Sequence, residues 1–282
     1  AIARFRNDPQ TQLVEEASRA INDEVIESAM HHLAGILSRK GLTRPIWLRA
    51  INANLRMGGA AEAATVARFA VDETNSEDAR AEALWALGDW TQPNPRDRVM
   101  GLWRPLAKRD PKIAADAAGW MAGKLASAGP ATVRTGAIEL IEKLGIDQDV
   151  LPGIVADKES PIEARVAALK AMETLKNSHL QESVKLAFDS GAGTPLRREA
   201  IGVYMRMPDA ADRVAALFKG ASVADRKAIL ESLGTAATNA AEAVRGGLNT
   251  ALQETSDFLY NLATGASSFR EAWSQASLAV GQ

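Results

Sequence analysis

Residues 80–90 read RAEALWALGDW, and this stretch decides the fold. Ala83, Leu84, Leu87 and Trp90 fall at i, i+1, i+4 and i+7, so they share one side of a helix. The two-residue alternation of a half-buried strand is missing. The same arrangement, an Arg or a substitute followed after two residues by a small residue and then apolar positions, returns along the chain. It reads VEEASRAI around Ala17, WLRAINANL around Ala50, RTGAIELI around Ala137, RVAALKAM around Ala168, RREAIGVY around Ala200 and RKAILESLG around Ile229. Successive spacings are 33, 33, 54, 31, 32 and 29 residues. A period near 31–33 residues accommodates two short helices and two turns, whereas the interval of 54 marks an insertion or an extra helix.

Partner helices are expected between these segments, at about Ile26–Arg39, Ala60–Val71, Asp149–Asp157, His179–Ser190 and Asp209–Lys219. Gly41, Gly58-Gly59, Gly145, Gly191 to Gly193 and Pro208 stand where those helices should end. Asp8-Pro9, Thr43 to Pro45, Ser76-Glu77, Asp110-Pro111, Ser160-Pro161 and Thr194-Pro195 supply cap residues and early prolines where they should begin. Composition agrees. Alanine occupies 54 of 282 positions, and it is both the best helix former and the smallest side chain that still packs. Stacked helix pairs need such residues at their contacts, because alanines let helix axes approach to about 8–10 Å.

The background breaks between Trp90 and Asp110, WTQPNPRDRVMGLWRPLAKRD. Pro93, Pro95 and Pro105 forbid a continuous helix there, so a loop is expected, followed by a short helix from about Arg96 to Trp103. Lys112–Ala126 and Ala131–Leu144 are expected as the next two helices. The C-terminal stretches Ala236–Ala263 and Ser267–Val280 fit neither period nor consensus and are expected to cap the stack. This gives one all-α domain, a right-handed α-α superhelix, with repeats over 1–235, an irregular insertion near 90–130, and capping helices over 236–282.

Antiparallel helix pairs of this period, with small residues on the second helix, resemble the HEAT-repeat family. Three runs carry a narrower resemblance: RNDPQTQLVEEASRAIND at 6–23, LRAINANLRMG at 48–58, and above all RAEALWALGDWTQPNPRDRVMGLWRP at 80–105. They are similar to the HEAT-repeat region of large planctomycete and verrucomicrobial dehydrogenase-like haem proteins. In that family a β-propeller comes first, helical repeats follow, and a c-type cytochrome domain with a CxxCH motif comes last. The resemblance implies a spacer or docking module between redox domains, a longer gene product, and a periplasmic or secreted location. No catalytic residue carries over, and with no Cys in the chain covalent haem attachment is excluded here.

Charge and residue types narrow the function. The 33 basic and 35 acidic side chains leave a formal charge of −2, which argues against a nucleic-acid partner. No apolar run is long enough for a membrane span. His31 and His32 are adjacent and diverge by about 100° on a helix, so they cannot chelate one metal, and His179 stands alone. Glu15-Glu16, Asp72-Glu73, Glu77-Asp78 and Asp147/Asp149 lie at helix ends or polar faces, where helix-dipole capping explains them. Neither Gly191/Gly193 nor Gly246-Gly247 has the surroundings of a phosphate loop. The expectation is therefore no catalytic residue, no metal and no cofactor in this chain.

Arg49, Arg80, Arg134, Arg165, Arg197 and Arg198 are read as a ladder to turn residues of neighbouring repeats, such as Glu77, Asp110 or Asp157; the alternative is a basic stripe on the concave face. Trp90, Arg96, Asp97, Arg98, Trp103 and Arg104 form the least generic cluster. Two roles stay open for it: tryptophans plugging the gap left by the irregular repeat, or a surface that docks another protein or another domain of the same polypeptide. The function expected is a non-catalytic interaction scaffold. The rival readings are a HEAT-like bilin lyase or chaperone and a HEAT-like DNA glycosylase.

Overall fold

A computed structural model describes residues 8–146, 148–188 and 193–206, together with positions 219, 226, 229–231 and 234. Among the described residues the chain is all-α, and the only β pairing is an isolated antiparallel bridge between Arg96 and Trp103. The chain divides into two compact units, Ala1–Asn177 and Ser178–Gln282. The expected helices at Asp209–Lys219, Ala236–Ala263 and Ser267–Val280, and the boundary at 236, lie outside the residues described as continuous structure.

The first unit holds α1 (Thr11–Asp23), α2 (Glu27–Ala34), α3 (Arg44–Met57), α4 (Ala60–Val71), α5 (Glu77–Gly88), α6 (Pro111–Ala118), α7 (Ala122–Ala128), α8 (Ala131–Leu144), α9 (Leu151–Ala156) and α10 (Ile162–Thr174). Short 3-10 turns at Gly35–Ser38 and Gln148–Val150 follow α2 and precede α9. Helices α1, α3, α5, α8 and α10 pack in succession, each on the next. The others lie against them: α2 on α1 and α3, α4 on α3 and α5, α7 on α8, and α9 on α10. Ala50, Ala83, Ala137 and Ala168, the small residues of the repeated pattern, are all fully buried. Helix α5 packs against α3, α4 and α8, so Ala79, Arg80, Ala81, Ala83, Leu84, Ala86 and Leu87 are all buried, and only a narrow side with Asp78, Glu82 and Trp85 stays open.

Two of the inter-helix turns are built alike. Asp72 ends α4 and Asp157 ends α9, with nearly equal backbone angles (φ −70°, ψ 106° and 107°). Asp72 accepts from the Thr74 amide and hydroxyl; Asp157 accepts from the Glu159 amide and the Ser160 hydroxyl. Eight residues beyond each Asp a buried arginine reaches back to a terminal carbonyl of the preceding helix, Arg80 Nε to Ala70 O at 2.9 Å and Arg165 Nε to Val155 O at 2.9 Å. Each closes a carbonyl that the helix end leaves without an amide partner. Arg134 does the same for Gly129 O at 2.7 Å and donates to Ser160 Oγ. Of the expected partners of this ladder, Asp157 feels the charges of Arg134 and Arg165, whereas the hydrogen bonds of Arg80, Arg134 and Arg165 run mainly to main-chain carbonyls, Asp110 caps α6 through the Lys112 amide, and Arg49 pairs with Asp23.

Two expected helices differ. Lys112–Ala126 is interrupted at Gly119 to Met121, giving α6 and α7; the break buries Met121 and turns Trp120 outward, 62 % exposed. The expected helix from Arg96 to Trp103 is instead a tight hairpin, turned by Asp97 accepting from the Val99 and Met100 amides and closed at Gly101. In the second unit, α11 (Leu180–Leu186) and α12 (Thr194–Arg206) pack together, burying Val184, Leu196, Ala200, Ile201 and Val203, with Phe188 stacked on Tyr204 at 5.6 Å.

Candidate interaction site

The hairpin begins where α5 runs out. Trp90 is fully buried, and its indole N–H donates to the Gly58 carbonyl at 3.2 Å. The Arg109 guanidinium lies over the same ring, 5.7 Å from its centroid, and donates to the Trp90 and Arg56 carbonyls. The Arg109 amide also bonds Thr91 O, so both ends of the segment are drawn together. Gly58 permits this approach: it ends α3 at φ +72°, and a Cβ there would overlap the Arg109 guanidinium.

Asp97 fixes the turn itself. Its Oδ1 accepts from the amides of Val99 and Met100 at 2.9 and 2.8 Å, a side-chain turn that competes with helix formation. Gly101 closes the bend at φ +67°, and Arg104 N to Pro95 O completes the hairpin. The other Asp97 oxygen accepts from Arg56 Nη2 at 2.9 Å and Asn52 Nδ2 at 3.0 Å. This carboxylate is nearly closed off from solvent. Burial pushes its pKa up, but the Met100 amide, Arg56, Asn52 and the Val99 amide outweigh that and hold it below the ordinary aspartate value.

From Asp97 a buried polar chain continues along α3. Asn52 also donates to Asn22 Oδ1, Asn22 to Asp23 Oδ1, and Asp23 takes a two-bond clamp from Arg49. Arg49, Asn52 and Arg56 are spaced i, i+3, i+7, so one face of α3 is polar where the hairpin sits on it. Arg104 ties the return strand to the Asp23 carbonyl at 2.7 Å. Arg98 holds the outer side, bonding Glu82 at 2.6 Å and Asp89 at 2.7 Å, while Lys143 of α8 also reaches Asp89.

What remains outside is apolar. Trp103 is 67 % exposed, Leu102 47 % and Met100 43 %, beside an exposed Arg96. The six residues singled out from sequence therefore split. Trp90 and Asp97 are internal, Arg98 and Arg104 are tethers, and Arg96 and Trp103 face solvent. Sequence reading missed Asn22, Asn52, Arg56 and Arg109 as the seat and Met100 and Leu102 as the tip. A readable signal for the seat existed in three polar residues at helical spacing inside the WLRAINANLRM run.

Elsewhere, a 720 Å³ cleft between the α4–α5 turn and the α7–α8 turn has lining of mixed charge, with Glu73, Glu77, Arg80 and Lys124. His31 and His32 lie ring against ring at 3.8 Å, and His179 pairs with Glu182. No group of three or more metal-ligating side chains occurs among the described residues, and none of the described helices is long and apolar enough to cross a membrane. No protein-family model matches the chain, and no curated protein matches it in sequence.

Proposed function

We propose that this chain is a non-catalytic, HEAT-like helical-repeat scaffold, a right-handed α-α superhelix that presents the 90–109 hairpin to another protein or to another domain of its own polypeptide. The observation that carries the reading is the contrast within the hairpin: a base locked by buried polar bonds, and a tip that leaves Met100, Leu102 and Trp103 in water. Exposed clusters of large apolar side chains cost solubility and commonly mark contact surfaces. Trp and Arg dominate interface hot spots, and a pre-formed loop loses little conformational entropy when it binds.

The matched Asp72/Arg80 and Asp157/Arg165 turns support the repeat reading, since the same device recurs at the same offset. The resemblance noted above supplies the context: a segment of a larger secreted dehydrogenase–cytochrome protein, with the redox chemistry in neighbouring domains. Isothermal titration of the chain with separately expressed propeller-type and cytochrome-type domains of its gene product tests this. Binding that weakens about tenfold in Trp103→Ala, with melting unchanged, is expected for one central anchor. Binding indifferent to Trp103, or a gene product lacking such domains, counts against it.

A further inference from the structure

We infer that the hairpin's partner is an acidic protein segment carrying an aromatic or large aliphatic side chain; the inference rests on the docking reading above and adds the partner's chemistry. Residues 96–109 contain five basic side chains and one acid in a chain whose net charge is −2, so the excess is local. The carboxylates beneath the hairpin are already engaged: Asp23 by Arg49, Asp97 by Arg56, Glu82 by Arg98, and Asp89 by Arg98 and Lys143. Asp110, next along the chain, caps α6.

Arg96, Arg104, Lys108 and Arg109 are left without a carboxylate partner among the described residues. Arg104 and Arg109 donate only to main-chain carbonyls, and Arg96 to the Gly101 carbonyl. Arg104 also keeps Nη1 buried without an acceptor. Of these four, Arg96, which pairs across the hairpin with Trp103, and Lys108 are exposed, and such uncompensated cations attract opposite charge, steer encounter and repel basic surfaces. A nucleic-acid strand fits less well, because two of the four cations are turned inward to carbonyls and cannot track a phosphate backbone.

The test is selection of a displayed random-peptide library on the full chain, with affinities of the winning peptides measured on Trp103→Ala and on Arg96→Glu/Lys108→Glu. Circular dichroism and melting confirm that each variant is folded. Acidic peptides with an aromatic or large aliphatic residue are expected, each losing roughly tenfold in affinity in either variant and weakening as salt rises. Winners that depend on Trp103 but are neutral or basic overturn the acidic assignment and leave the docking reading standing. The absence of any Trp103-dependent peptide removes both. Trp103-dependent binding to phosphatidylserine-containing vesicles, without such peptides, overturns the protein assignment in favour of a lipid surface.

Discussion

Trp90 and Trp103 are thirteen positions apart in one loop and have opposite fates, fully buried against 67 % exposed. Truncating Trp90 removes a filled volume, a hydrogen bond to Gly58 and the ring beneath Arg109. Denaturant unfolding should show Trp90→Ala costing about 3–5 kcal/mol, and Trp103→Ala within roughly 0.5 kcal/mol of the parent chain. Asp97 makes a different prediction. Its pKa is depressed in the folded chain, so its contribution is fully present above the ordinary aspartate value of 3.8 and is lost as pH falls through the lower folded value. Asp97→Ala leaves Arg56 buried without its counter-ion, and unfolding near neutral pH should cost about 3 kcal/mol or more. The gap between the two chains should narrow below pH 3.8 as the parent carboxylate takes up its proton. A gap that widens on acidification contradicts the assignment of that carboxylate as the hairpin's anchor.

At the scale of elements, the arginine that closes a helix end is the recurring device. Arg80→Ala and Arg165→Ala each free a buried terminal carbonyl, Ala70 and Val155 respectively, and should destabilise by a similar amount, about 1–3 kcal/mol by chemical denaturation. Strongly unequal losses would show that the two turns are alike only in outline. These elements also explain what the sequence reveals and what it hides. Helices α4 and α8 are legible to the residue, because Gly59, Pro130 and Gly145 bound them and local chemistry alone decides. The break between α6 and α7 is hidden in an alanine-rich run, where Gly119 is a mild perturbation until Met121 must enter the core. The hairpin is hidden for a stronger reason. Arg96 to Trp103 has no feature that forbids a helix, and the turn wins because Asp97 can serve Val99 and Met100 while Arg56 and Asn52, more than forty positions upstream, satisfy its other oxygen. Tertiary bonds of that range leave no trace in the periodicity of the hairpin's own residues.

On the scale of the molecule, the first unit joins a row of helices closely packed through alanines to one segment that departs from the pattern. A stiff support of this kind holds a loop in place, and loops on such supports are where recognition concentrates. Among the described residues the amides of Leu102 and Trp103 donate to no main-chain carbonyl, whereas those of Asp97, Gly101 and Arg104 are bonded within the hairpin. Contact at the tip is therefore to be read on those two amides. The most direct measurement is amide hydrogen exchange of the whole chain with and without its bound partner domain or selected peptide. Slowed exchange centred on Leu102 and Trp103 is expected, with the α4–α5 and α7–α8 turns unchanged; slowing confined to the cleft at Glu73, Arg80 and Lys124, with the hairpin unaffected, would show that the hairpin tip is not the contact surface.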